Sequence, residues 1–143
     1  MSYEQERMVR AFREAGQRIT RQREAVFDYL SRPRVGHPSA RKVYEDLREE
    51  HAGISMATVY NTLGALARLG LIKIIEFESG DNRYEVNLDP HINLICLSCR
   101  NIADLDVGPS IHVECARKKL GFSVKDFRLE YYGHCADCAR AAR

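Results

Sequence analysis

Ser55-Met56-Ala57-Thr58-Val59-Tyr60-Asn61-Thr62-Leu63-Gly64-Ala65-Leu66-Ala67-Arg68-Leu69-Gly70 decides the fold. Ser55 is a good N-cap, because its hydroxyl can accept from an amide of the first turn that has no helical partner. Gly70 stands at the C′ position, where a left-handed backbone ends a helix. Between them Met56, Val59, Leu63 and Leu66 recur at helical spacing and form a core stripe. At about 100° per residue, the opposite side carries Ala57, Thr58, Asn61, Ala65 and Arg68, with Tyr60 on its flank. Just beyond, Leu71–Phe77 and Arg83–Leu88 have strand character, and Ser79-Gly80-Asp81-Asn82 between them is turn chemistry. Three helices followed by a β-hairpin make the winged helix-turn-helix pattern, and this stretch is the last of those helices.

Upstream, residues 3–15 read as a helix ended at Gly16, with Met8, Val9, Phe12 and Ala15 inward. Thr20 caps a second helix carrying Ala25, Val26, Tyr29 and Leu30, which stops at Ser31-Arg32-Pro33. Ser39 caps a third over residues 40–50, with Ala40, Val43, Tyr44 and Leu47 buried. In this context the 55–69 helix suits the major groove, where Ser55, Thr58, Tyr60 and Asn61 would face base edges. Arg18, Arg21 and Arg23 would then anchor phosphates, giving affinity rather than sequence choice.

Asp89-Pro90 marks a junction, so residues 1–87 are expected to form a DNA-binding domain and 88–143 a second domain. Ile92, Leu94 and Cys96 alternate as a strand, Ile102–Leu105 suits another, Pro109–Leu120 a helix, and Phe122–Tyr132 alternates again. So short a stretch makes a small core, and a metal staple or a partner subunit is expected.

Cys96-x-x-Cys99 and Cys135-x-x-Cys138, separated by 35 residues, present two thiolate pairs. Four thiolates around one ion make a closed, tetrahedral, structural zinc site. The competing reading is a cytosolic thiol-disulfide oxidoreductase using Cys135 and Cys138, against which stand the second pair and the lack of a βαβ pattern. Cys115, near Ile111 and Leu120 in the predicted helix, reads as a small buried hydrophobe. His51, His112 and His134 read as surface or packing residues. His91, just before the first cysteine pair and with polar neighbours, stands where a second metal could bind.

The 143 residues are 45% hydrophobic and 29% charged with a net charge of +2, a globular composition that excludes disorder and does not announce a nucleic-acid partner. The basic character is local: residues 1–23 hold six arginines against three glutamates. No apolar run approaches the roughly 20 residues of a membrane helix, and no signal peptide is evident, so a cytoplasmic protein with no membrane partner is expected.

Taken together, Arg18-Ile19-Thr20-Arg21-Gln22-Arg23, Ala57-Thr58-Val59-Tyr60-Asn61-Thr62-Leu63, Gly70-Leu71-Ile72, Arg83-Tyr84-Glu85 and both C-x-x-C pairs resemble the ferric uptake regulator family. The resemblance runs from about residue 6 to Cys138. It implies an α+β protein, an N-terminal winged helix-turn-helix followed by a small α/β dimerisation domain. It also implies a homodimeric, metal-dependent transcriptional repressor of double-stranded operator DNA. Cys96, Cys99, Cys135 and Cys138 fall on the family's structural zinc (Zn2+) ligands. Its regulatory site, at the hinge between domains, falls on His37, Glu85, His91, Asn93 and Asp104.

Two imidazoles, two carboxylates and an amide oxygen suit Fe2+ or Mn2+, though zinc also binds such sets. The family usually has a second histidine where this chain has Asn93. Asp104 resembles the peroxide-sensing branch and Glu85 the iron-uptake branch. Peroxide sensing through the bound ion is the leading expectation, with an iron- or zinc-responsive repressor of metal uptake as the alternative.

Overall fold

The structure, a computed structural model, describes residues 1–106 and 111–142. Two compact units divide the chain, Met1–Leu88 and Asp89–Arg143.

The first unit runs α1 (Tyr3–Glu14), α2 (Arg21–Leu30), α3 (Ala40–Leu47), α4 (Met56–Arg68), β1 (Lys73–Ile75) and β2 (Arg83–Glu85). Each helix is started by the cap its sequence supplies: Ser2, Thr20, Ser39 and Ser55 all accept a first-turn backbone N–H. Gly70 ends α4 with φ 68°, a left-handed conformation that disfavours any residue with a Cβ. The core gathers Met8 and Phe12 of α1, Val26, Phe27 and Leu30 of α2, Val43 and Leu47 of α3, and Val59, Leu63 and Leu66 of α4. Phe27, absent from the predicted stripe, is fully buried in it.

Several details of this unit differ from expectation, among them Ala15, which is exposed as the C-cap of α1 rather than turned inward. Ala65, assigned to the outer side of α4, is buried because the apolar arc there also takes in Thr62. The third helix stops at Leu47, and residues 48–50 form a turn. The wing strands shrink to three residues each, paired antiparallel from Lys73↔Glu85 to Ile75↔Arg83. Leu71 and Ile72 are drawn into the core instead of extending β1.

The second unit contains β3 (His91–Cys96), β4 (Ile102–Asp106), α5 (Ile111–Leu120), β5 (Glu130–Gly133) and α6 (Ala136–Ala141). Its sheet has the order β4-β3-β5, antiparallel across β3–β4 and parallel across β3–β5. The expected alternation in β3 is absent: Ile92, Asn93, Ile95 and Cys96 are all buried and Leu94 less so, because this central strand is covered on both faces. Of the alternating stretch Phe122–Tyr132, only Glu130 onward pairs. Cys115 is exposed rather than buried, and Leu120 and Phe122 nearby are exposed too, so this side of α5 has no cover among the described residues. The predicted start of this helix at Pro109 and the side chain of Ile111 lie outside the described residues. Among the described residues no helix is long and apolar enough to cross a membrane.

Candidate metal centres and nucleic-acid face

The cysteine cluster is assembled by the sheet. Cys96 ends β3 and Cys99 lies in the turn after it, where Arg100 adopts φ 60° and its N–H returns to the Cys96 carbonyl at 2.9 Å. The parallel register Cys96↔Gly133 carries the chain past Gly133 to Cys135, the residue that opens α6, with Cys138 in its first turn. All four Sγ atoms lie within 4.8 Å of one another. Cys99 Sγ and Cys135 Sγ are 3.9 Å apart, far beyond the roughly 2.05 Å of a disulfide. Two sulfurs each about 2.3 Å from a tetrahedral ion would sit about 3.8 Å apart, so the spacing is that of co-ligands.

The protonation of the cluster tells the same story. The Cys135 backbone N–H donates to Cys96 Sγ at 3.3 Å and, with the Cys99 N–H, holds that thiol down to about 5. Cys138 is pushed up to about 12, first by its hydrogen bond with Cys135 and then by those with Cys99 and Cys96. Four thiols this close cannot all ionise unless a cation shares them, and a soft-tolerant dication such as zinc fits that donor set. His134, beside the cluster, is tied through Nδ1 to Ser98 Oγ at 2.9 Å, which links the two knuckles.

A second, thiol-free set of donors occurs as two parts, one in each unit. In the first unit His37 Nε2 lies 2.9 Å from Glu85 Oε2, and both side chains are buried. Sequence distance gives no hint of this pairing. It comes from the loop before α3 lying along β2: Tyr84 N–H donates to the Pro38 carbonyl at 3.0 Å, and Ser39 bridges Arg83.

In the second unit the cross-strand register places Asn93 opposite Asp104, with His91 two residues before it on the same face of β3. His91 Nδ1 is 2.7 Å from the Asp89 carbonyl oxygen. That oxygen only accepts, so Nδ1 is the donor in this bond. Nε2 of the same ring lies 3.2 Å from Asn93 Oδ1 and 3.8 Å from Asp104 Oδ1. A ring nitrogen, an amide oxygen and a carboxylate oxygen at one point are donors of the types that hold divalent metal ions.

The face expected to read DNA is less uniform than its sequence. Tyr60 is 53% exposed, and Asn61 and Ala57 are exposed beside it on α4. Ser55 and Thr58 are instead bonded to each other, Oγ to Oγ1 at 2.9 Å, as part of the helix cap. Arg18 and Arg21 are exposed at the start of α2. Arg23 is turned inward: its guanidinium donates to the Arg18 carbonyl at 2.7 Å and lies over the Phe12 ring. It fixes the α1–α2 turn that presents the other two arginines.

A winged helix-turn-helix, a small α/β unit and a four-cysteine cluster together define a metal-binding transcription regulator. Residues 14–132 match the Ferric uptake regulator family, and the chain belongs to it. It is 32% identical over 139 residues to the peroxide-responsive repressor PerR of Staphylococcus aureus, covering 96% of this chain and 93% of that protein. The Vibrio cholerae ferric uptake regulator superposes with a TM-score of 0.70 at 27% identity, over 88% of this chain and 98% of that one. PerR from Streptococcus pyogenes, described as a peroxide sensor and gene regulator, superposes with a TM-score of 0.51 at 32% identity, over 92% and 90%.

Proposed function

We propose that this chain is a cytoplasmic, homodimeric repressor that binds double-stranded operator DNA when metal-loaded and is released by peroxide. The observation that carries this reading is the convergence of His91 Nε2, Asn93 Oδ1 and Asp104 Oδ1 in one unit, matched in the other by the His37–Glu85 pair. These five residues would hold Fe2+ or Mn2+, since the set is hard, oxygen-rich and free of thiolate. Cys96, Cys99, Cys135 and Cys138 would hold structural Zn2+.

Residues 1–87 would serve as the DNA-binding domain and 88–143 as the dimerisation domain. Tyr60 and Asn61 would meet base edges, Ser55 and Thr58 would set the pose of α4, and Arg18 and Arg21 would hold phosphates. Because the regulatory ligands come from both domains, gathering them into one shell favours one domain arrangement, and loading shifts the population toward it. Bound iron would supply the reactivity toward peroxide, and His37 and His91 would be the side chains oxidised.

The peroxide reading is supported by the identity to a peroxide-responsive repressor. The iron-responsive alternative is favoured by Glu85 and by the likeness to the Vibrio cholerae ferric uptake regulator. One experiment separates them: iron-loaded protein is dosed with peroxide without air, then analysed by peptide mass spectrometry and DNA binding. Gain of one oxygen atom on His37 or His91 with loss of DNA is expected. Intact histidines and unchanged binding would remove peroxide sensing and leave iron-dependent repression.

A further inference from the structure

Arg83 is an unusual occupant of the wing. Its side chain is 22% exposed, and its Nε is buried with no hydrogen-bond partner among the described residues. A guanidinium kept under cover with an unsatisfied N–H is poor economy for stability alone, and such a cost is commonly met at functional positions. One end of the group reaches the loop that carries His37, and the rest is held within the wing. Nη1 donates to the His37 carbonyl at 3.4 Å, the guanidinium lies over the Phe77 ring at 5.6 Å, and Nη2 is 3.9 Å from Asp81. The backbone of Arg83 bridges Ser39, and the next residue, Tyr84, donates to Pro38.

We propose that Arg83 is a positioning residue for the first unit's metal-binding pair, holding His37 against Glu85 before any ion arrives. The inference rests on reading His37 and Glu85 as ligands. Glu85 is fixed by its strand pairing with Lys73, whereas His37 stands in a loop, between Gly36 at φ 68° and Pro38. Backbone bonds secure that loop at Val35 before His37 and at Pro38 and Ser39 after it. The donor from Arg83 reaches the peptide of His37 itself and stops it from turning about the Pro38 anchor. The Phe77 ring and Asp81 in turn hold the guanidinium in the one direction that reaches this carbonyl. Arg83 therefore acts through His37 and touches no ion.

The test compares the zinc-loaded full-length protein with Arg83→Ala, Arg83→Lys and His37→Ala, titrating Mn2+ for affinity and Co2+ for its visible absorption bands under anaerobic conditions. Arg83→Ala should weaken Mn2+ binding by about tenfold, the usual scale for a partner that orients a ligand, and alter the Co2+ bands. Arg83→Lys keeps a donor on a long stem and should restore most of the affinity. Unfolding of each variant without the regulatory ion is followed alongside. If Arg83→Ala binds as wild type while His37→Ala is weakened, the positioning role is wrong and the ligand assignment stands. Wild-type binding by His37→Ala would remove the ligand reading and this inference with it. Affinity losses that merely follow lowered stability, with no rescue by lysine, would make Arg83 structural only.

Discussion

Cys96 and Gly133 are register partners in the parallel pairing of β3 with β5. That one relationship brings the Cys135 N–H to Cys96 Sγ and closes the four-cysteine cluster. The dependence also runs the other way, because β5 is only four residues long and α6 six, too little for either to hold its place by itself. Cys96→Ser should therefore lose zinc and the dimer together, since metal affinity and folding are linked. Metal analysis is expected to fall from about one zinc per chain to near zero, with the oligomer dissociating in sedimentation. A zinc-loaded dimer of this variant would show that the cluster is not the staple.

How far the sequence could be read depends on whether the determinants are local. α4 was legible because its cap Ser55, its stripe and its stop at Gly70 all lie within one stretch of chain. Phe122–Leu129 was misread because alternation states a capacity for pairing, and β3 offers β5 only the positions Asn93 to Cys96. Cys115 was misread because helical spacing finds an apolar side without saying whether anything in the same chain covers it. The His37–Glu85 contact joins residues 48 apart through a loop laid on a strand. No periodicity encodes that, and only the family resemblance pointed to it.

Tyr60→Ala tests the DNA face. The ring is exposed on α4 and outside the core, so its removal should leave stability and metal content unchanged. Binding to DNA selected from a random pool by the wild-type protein should weaken about 10- to 100-fold, the scale of one or two lost base contacts. Equal affinity in fluorescence anisotropy would place the reading surface elsewhere.

Tyr29 supplies a pH dependence of stability that has nothing to do with metal. Its hydroxyl donates to Asp46 Oδ2 at 2.6 Å, tying α2 to α3, and burial followed by that bond and the Asp46 charge pushes its pKa well up. In the unfolded chain it ionises near 10. The contribution is present below that pH and fades as pH rises above it, because only the unfolded state gives up its proton there. Asp46 is shifted the other way, lowered first by its bond from Lys42 and then by Tyr29, so its share is lost as pH falls below the usual carboxylate range. Tyr29→Phe should cost about 1–3 kcal/mol in urea unfolding at neutral pH. It should also flatten the decline above pH 10, and an unchanged alkaline slope would assign that decline to other groups.

In the proposed regulatory site Asn93 would be the weakest ligand. It is 7% exposed, it shares a face of β3 with His91, and its Oδ1 already points toward His91 Nε2. An amide oxygen is a neutral and weak donor, so in that site most of the second unit's hold would come from His91 and Asp104. Asn93→Ala should then weaken Mn2+ binding only a fewfold. Asn93→His, which adds a second imidazole on that face, should tighten it by about tenfold or more and make binding fall more steeply as pH drops, because another ring proton must be displaced. Anaerobic titrations at two pH values measure both effects. If neither variant changes the affinity or its pH slope, the side chain at 93 stands outside the coordination shell, and the second unit binds through His91 and Asp104 without it.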